Sequence, residues 1–378
     1  MPIGLYIHIP FCLKKCNYCS FVSFPGEDGL VSSYIGALGR EIEIRARALA
    51  PEERIIDSVY VGGGTPTCLS GEQLAGLTEK VFSCFSVEPG AEITVEANPG
   101  TIDRGKLATL KNAGYNRLSL GFQACHPDLL NTLGRIHSYP GAEMSFLEAR
   151  RAGFDNISVD LIFGIPGQSS GQWRSCLERV ADLGPDHISA YGLQLEENTP
   201  LYGAVQRGTP AACPEDLEAD MYADLMETLA AYGYIHYEIS NFALPGRFCR
   251  HNLRYWHNRE YLGLGLAAHS YLGGKRFSNE ADLGRYFGGL AEDRLPVCWE
   301  EETDAGTEMS ETVFLGLRLV EGLDTGKFRE RFGKGIGEVY GREIERLAAL
   351  KLIEMSGNHL RLTRRGLMLG NLVFAEFV

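Results

Sequence analysis

Cys12, Cys16 and Cys19 lie just beyond an apolar run, Leu5-Tyr6-Ile7-His8-Ile9-Pro10, with only Phe11 between. The spacing CxxxCxxC does not suit zinc, which takes four ligands, usually as two CxxC-like or Cys/His pairs spread over a longer stretch. Three thiolates within eight residues can each hold one iron of a [4Fe–4S] cube and leave the fourth iron without a protein ligand. Clusters ordinarily take four cysteines, and the next cysteine along the chain, Cys68, is distant in sequence. An open iron can chelate the amino and carboxylate groups of S-adenosylmethionine, and an electron from the cluster can then cleave the sulfonium to give a 5′-deoxyadenosyl radical.

Further motifs fall at or just past the ends of apolar runs. Gly62-Gly63-Gly64-Thr65-Pro66-Thr67 follows the second run, where residues lacking Cβ let backbone groups approach a ligand closely. A tight turn would use the same residues. Glu96 ends the third run and Gln123 the fourth, positions where a carboxylate or amide also serves as a cap. Asp160 is less ordinary, because a carboxylate inside an apolar strand is costly without a partner. Ribose hydroxyls, an arginine such as Arg135, or the sulfonium could supply one.

A second concentration of chemistry runs from Gly246 to Arg259, GRFCRHNLRYWHNR, with arginines and histidines among aromatic residues. Arginine matches carboxylates bidentately, aromatic rings stack on flat ligands, and histidine can bind iron or a propionate. A tetrapyrrole would use all three, whereas a solvated basic loop with aromatic anchors would need none of them. His269, after the glycine-rich loop Gly263-Leu264-Gly265, is a weaker candidate for either pocket.

These residues need strands to present them. Apolar runs at Gly4–Ile9, Ser58–Val61, Glu92–Glu96, Arg117–Gly121, Ser158–Phe163 and His187–Tyr191 alternate with amphipathic stretches such as Val31–Ala48 and Gln172–Leu183. The alternation predicts βαβ units and a parallel sheet. Six units suit an open, partial (β/α)6 barrel, α/β in class, with ligands at the C-terminal strand ends. After Glu196 the alternation stops. A helix over Pro214–Ala231 leads to an aromatic run, Tyr232–Phe242. Farther on, a helix carrying Met309, Val313, Leu317 and Val320 stops at Gly322. A second helix, Gly337–Leu350, precedes two short strands around Ser356-Gly357-Asn358. Three regions are expected: the barrel over 1–205, an extension over 206–300, and a small winged-helix-like α+β domain over 301–378.

The chain has 378 residues and a net charge of −13, which argues against nucleic acid or an anionic membrane surface as general partners. No apolar run approaches bilayer length, and no secretion signal opens the sequence. Ten cysteines in a chain this long are too few for a disulfide scaffold. A reducing cytoplasm is expected, with the other seven cysteines as small buried residues.

The runs YIHIPFCxxxCxYC, GGGTPT, RLSLGxQ and DLIFGIPG together resemble the coproporphyrinogen III oxidase-like radical SAM family, and the resemblance spans the chain. HNLRYW, GLGLAAHS and ETVFLGLRLVEGLD look like its haem-chaperone branch. Two departures from the oxidases agree: they carry a fourth cysteine where this chain has Phe21, and a long segment before the first strand, which here begins almost at Met1. The resemblance implies that Cys12, Cys16 and Cys19 bind the cluster. It places S-adenosylmethionine on Tyr6, Tyr18, Gly63, Gly64, Thr65, Glu96, Gln123, Arg135 and Asp160. It directs haem, as cargo, to the motif of His251, Asn252, Arg254, Tyr255 and Trp256, without choosing the iron ligand. The implied function is a haem chaperone serving respiratory enzymes, reduced by a donor such as flavodoxin or ferredoxin, with contact at the cytoplasmic face of the inner membrane. Oxidative decarboxylation of coproporphyrinogen III, radical methyl transfer and a redox-inert iron–sulfur protein are the alternatives.

Overall fold

The computed structural model describes residues 2–378. Six strands, β1 (Ile3–Ile9), β2 (Ile55–Gly63), β3 (Ser86–Ala97), β4 (Arg117–Gln123), β5 (Ile157–Phe163) and β6 (His187–Gly192), stand side by side in sequence order, all parallel. Each coincides with an apolar run read above. Helices α1 (Val31–Ala48), α2 (Gly71–Cys84), α3 (Arg104–Asn112), α4 (Pro127–Leu133), α5 (Tyr139–Arg151) and α6 (Ser170–Asp182) lie between these strands. On α1 the buried residues Tyr34, Leu38, Glu41, Ile42 and Ala46 recur at three- and four-residue intervals, so one stripe faces the sheet. Helices α2 and α6 begin at Ser70 and Ser169, whose hydroxyls accept from Gln73 and Gln172 N–H while those glutamines reach back.

The sheet does not end with six strands. After helices α7 (Pro200–Gln206) and α8 (Glu215–Ala231) comes a hairpin of β7 (Ile235–Glu238) and β8 (Asn241–Ala243), in which β8 pairs antiparallel with β6 and β7 pairs antiparallel with β8 at the sheet's edge. Helix α9 (Arg250–Trp256) then leads to β9 (Tyr261–Leu264), which joins the other edge parallel to β1. Antiparallel strands β10 (His269–Leu272), β11 (Lys275–Asn279) and β12 (Val297–Glu302) follow, making twelve strands. The stretch around Gly263-Leu264-Gly265, read from sequence as a loop, is therefore largely a strand. Gly263 is needed there because a Cβ would collide with the carbonyl of His269. Residues 206–300 thus extend both edges of the barrel sheet.

Beyond α10 (Leu283–Ala291), the C-terminal region has helices α11 (Ala305–Gly316), α12 (Thr325–Phe332) and α13 (Ile336–Ala349) beside a three-stranded antiparallel sheet. Its strands are β13 (Leu323–Asp324), β14 (Ile353–Ser356) and β15 (His359–Leu362), and a separate core forms around Val313, Phe328, Leu347 and Leu360. The helix expected to reach Gly322 ends at Gly316: the chain turns there, Leu319 bridges Glu238 of β7, and Val320 N–H donates to Tyr237 O instead of continuing the helix. Helix α12 was not foreseen; Asp324 starts it by accepting from Gly326 and Lys327 N–H.

Candidate functional site

At the C-terminal end of β1 the chain turns into the cysteine loop, which is fastened at several points. Gly64 N–H donates to Ile9 O at 2.9 Å, Thr65 N–H to Phe11 O at 2.7 Å, and Phe24 N–H to Pro10 O at 2.7 Å. On the far side Asn17 donates through its backbone to Leu133 O and through its side chain to Thr132 O, both at 3.0 Å. The loop therefore bridges the ends of β1, β2 and α4. Gly64 sits directly beneath it: a Cβ there would lie 2.7 Å from Phe11 O and 3.1 Å from Cys12 Sγ.

The three thiols are half-buried and face one another electrostatically. Thr65 Oγ1 donates to Cys12 Sγ at 3.6 Å, and the Arg135 guanidinium donates to Cys16 Sγ at 3.4 Å. Burial pushes the Cys12 and Cys19 thiols above the usual range, opposed at Cys12 by the Thr65 hydroxyl and at Cys19 by its bond to Phe21. Among the described residues, no three His, Cys, Asp or Glu side chains converge tightly enough to hold a single metal ion. Three half-buried sulfurs on one loop, each accepting a hydrogen bond, suit a polynuclear sulfur cluster. Cys68 lies on the short helix Pro66–Cys68, which packs against Phe11–Cys12, so folding brings it nearer than its sequence position suggested.

The remaining residues expected at the cofactor converge on the same end of the sheet. Glu96 accepts from Tyr60 Oη at 2.8 Å and from Gly63 N–H at 3.2 Å. Burial is the main reason its carboxyl is pushed up to about 7, with neighbouring Asp160 adding to the rise. Arg135 also donates to Gly121 O at 2.8 Å and to Asn98 Oδ1, and the Gln123 amide lies in the same corner. Tyr18 packs on the apolar cluster of Leu129, Leu133 and Ile165 beside Cys16. Tyr6 points inward, its hydroxyl 3.0 Å from His8 Nδ1 and its ring stacked on Tyr60. Asp160 has partners other than Arg135: Ser119 donates at 2.9 Å, Ser158 at 3.3 Å and Ser189 joins them, with Arg117 nearby.

Sequence reasoning passed over three residues here. His8 links Tyr6 to the cysteine loop through Nε2 and Val22 O, 2.9 Å apart, and its ring fills the space that a Cβ on Gly63 would need. Tyr60 holds Glu96. Arg117, 2% exposed, lies among Glu92, Tyr60 and Cys249 at the other end of the barrel interior. Two-residue alternation with Tyr6 and Gly62 would have found the first two, and a charge within an apolar strand the third.

The arginine- and histidine-rich segment divides by position. Glu92 accepts from the backbone N–H groups of Arg250 and His251, each at 3.1 Å, and anchors the start of α9 to β3. His251 is 1% exposed, with Nδ1 3.1 Å from Ser58 Oγ and Nε2 2.8 Å from Tyr255 Oη. Arg254 is buried on Asp57 and the carbonyls of Pro2 and Glu260. Asn252 is half-buried on α9, and His269 is exposed on β10. Tyr255 and Trp256, by contrast, line a cavity of 430 Å³ that Arg259, Tyr261 and Arg276 share with Phe314 and Leu315 of α11. Neither His251 nor His269 lines it. The volume is in the range of small-molecule sites. Rings connect the two regions: Tyr6 stacks on Tyr60, Tyr60 on His251, and His251 meets Tyr255 edge-on.

The remaining cysteines vary in exposure. Cys125, Cys176 and Cys249 are buried and Cys298 is exposed, and Cys125 and Cys176 form a disulfide between the end of β4 and α6. No helix among the described residues is long and apolar enough to cross a membrane.

Comparison with known proteins agrees with this geometry. The radical SAM superfamily profile matches residues 6–180, and that of the HemN C-terminal domain matches residues 304–369. The haem chaperone HemW of Bacillus subtilis is 38% identical over 99% of this chain and 98% of its own length. That of Mycobacterium tuberculosis is 38% identical over 98% of this chain and 94% of its own. The mitochondrial radical S-adenosyl methionine domain-containing protein 1 of Danio rerio is 32% identical over 97% of this chain and 84% of its own. The coproporphyrinogen III oxidase HemN of Escherichia coli superposes with a TM-score of 0.87 at 24% identity, covering 100% of this chain and 90% of that one, which establishes a shared fold. A full-length match at this identity, with both parts recognised in order, is decisive: the chain belongs to the radical SAM superfamily and, within it, to the HemW family.

Proposed function

We propose that this protein is a haem chaperone that carries a [4Fe–4S] cluster and S-adenosylmethionine at the C-terminal strand ends and holds haem beside α9 for delivery to haem-dependent enzymes. Cys12, Cys16 and Cys19 would hold the cluster, with Thr65 donating to the Cys12 sulfur and Arg135 to that of Cys16. When bound, the cluster would supply one electron for reductive cleavage of a sulfonium. Glu96, Gln123, Gly63 and Gly64 present acceptors and close backbone to the amino-acid part of that cofactor. Asp160, already oriented by serines, suits hydroxyl groups. Tyr6, with Tyr18 beside Cys16, would complete the walls. The observation that carries the haem half of the reading is the cavity at Tyr255 and Trp256. It offers aromatic surface, and it offers the Arg259 cation in a chain of net charge −13.

The test is anaerobic reconstitution, titration with haem, and mixing with a haem-free recipient enzyme whose activity reports transfer. The expected result is stoichiometric haem uptake at micromolar concentration, followed by activation of the recipient. Protein that takes up no haem, or that converts coproporphyrinogen III to protoporphyrinogen, would overturn the proposal. The second outcome would favour the oxidative decarboxylase.

A further inference from the structure

We infer that a haem in the cavity beside α9 takes its iron ligand from the phenol oxygen of Tyr255, and that His251 holds this phenol from behind without meeting the iron. The inference rests on the haem reading above and specifies its chemistry.

No His, Cys or Met lines the cavity. The side chains there that can donate to iron are the phenols of Tyr255 and Tyr261 and the carboxylate of Glu311. Glu311 is already held at both oxygens by Arg276, at 2.5 and 2.6 Å. His251 could serve as a ligand only by giving up both ring contacts and leaving a buried position. Its surroundings suit a different task. In the neutral ring the Ser58 hydroxyl can donate to Nδ1, which leaves Nε2–H to donate to the Tyr255 oxygen. An outer partner of this kind orients a metal ligand and sets its basicity. Tyr261, edge-on to Tyr255 with ring centres 4.6 Å apart, forms the adjoining wall.

Binding forms one Fe–O bond and breaks the phenol O–H bond. The proton leaves to solvent, and the iron stays ferric. Arg259, exposed at the cavity and in no ion pair among the described residues, is placed for a propionate.

The test uses the full-length protein titrated with ferric haem and, separately, with metal-free protoporphyrin, read by absorption, EPR and resonance Raman. The wild type should give an oxygen-ligated high-spin ferric spectrum. Tyr255→Phe should weaken haem binding about tenfold or more and abolish that spectrum, while metal-free porphyrin binds within about threefold of wild type. His251→Gln should keep an oxygen-ligated spectrum. An imidazole-ligated spectrum that His251→Gln abolishes would overturn the inference, as would an oxygen-ligated spectrum lost in Tyr261→Phe but kept in Tyr255→Phe. Should Tyr255→Phe not fold, the wild-type Raman spectrum alone separates phenolate from imidazole. Haem bound through another ligand defeats this inference and leaves the chaperone reading standing, whereas no uptake of either porphyrin defeats both.

Discussion

Glu96 is the carboxylate at the cofactor end whose charge changes near neutrality, because burial outweighs the donors Tyr60 and Gly63. A folded-state value raised to about 7 from the usual 4.5 means that the native protein binds the proton more tightly than the unfolded chain. Stability from this group is therefore greatest below about pH 4.5 and falls as pH rises toward 7, by at most about 3 kcal/mol. Glu96→Gln should melt a few degrees above wild type at pH 8, with the gap closing near pH 5. Its affinity for S-adenosylmethionine should fall at least about tenfold, from loss of an anionic acceptor. Differential scanning calorimetry across pH and equilibrium dialysis check the two parts. At this scale the sequence was legible wherever a residue broke its local pattern: three clustered thiols, a carboxylate in an apolar strand, a triple glycine. It was less so for His8 and Tyr60, whose importance lies in the bonds their rings make to Val22 and Glu96 across the fold.

Strand ends, rather than single side chains, bring the residues proposed for the cofactor together. Strands β1 to β6 coincide with the apolar runs because interior parallel strands are covered on both faces and carry few polar residues. Strand β9 escaped notice because Gly263 and Gly265 weaken its apolar signal, although close approach to His269 and to His8 requires them. Helix α12 escaped because its residues, TGKFRERF, are mostly polar, with only Phe328 buried. The same close-approach argument makes a prediction at Gly64. Gly64→Ala would press a methyl group against Phe11 O and Cys12 Sγ and shift the cysteine loop off its seat. Because the barrel core is untouched, far-ultraviolet circular dichroism should stay at the wild-type level while iron and sulfide after reconstitution fall by half or more. Full cluster content in Gly64→Ala would show that the loop does not depend on this seat.

Across the whole molecule, the cofactor end and the cavity sit at different places on one sheet and are joined by packed rings from Tyr6 to Tyr255. The cavity was not legible in the sequence, since it exists only where α9 and β9 meet α11, some fifty residues later in the chain. The motif near His251 was legible, but its composition could not show that His251 and Arg254 turn inward while Tyr255 and Trp256 face the cavity. The proposed function depends on a cluster whose fourth iron the three-cysteine loop would leave free. The most direct measurement is EPR of the anaerobically reconstituted, dithionite-reduced protein with and without S-adenosylmethionine, in wild type and in Cys68→Ser. The account predicts a [4Fe–4S] signal that shifts on adding the cofactor in both proteins and is lost in Cys12→Ser, Cys16→Ser or Cys19→Ser. A signal indifferent to the cofactor, or a cluster that Cys68→Ser destroys, would contradict it.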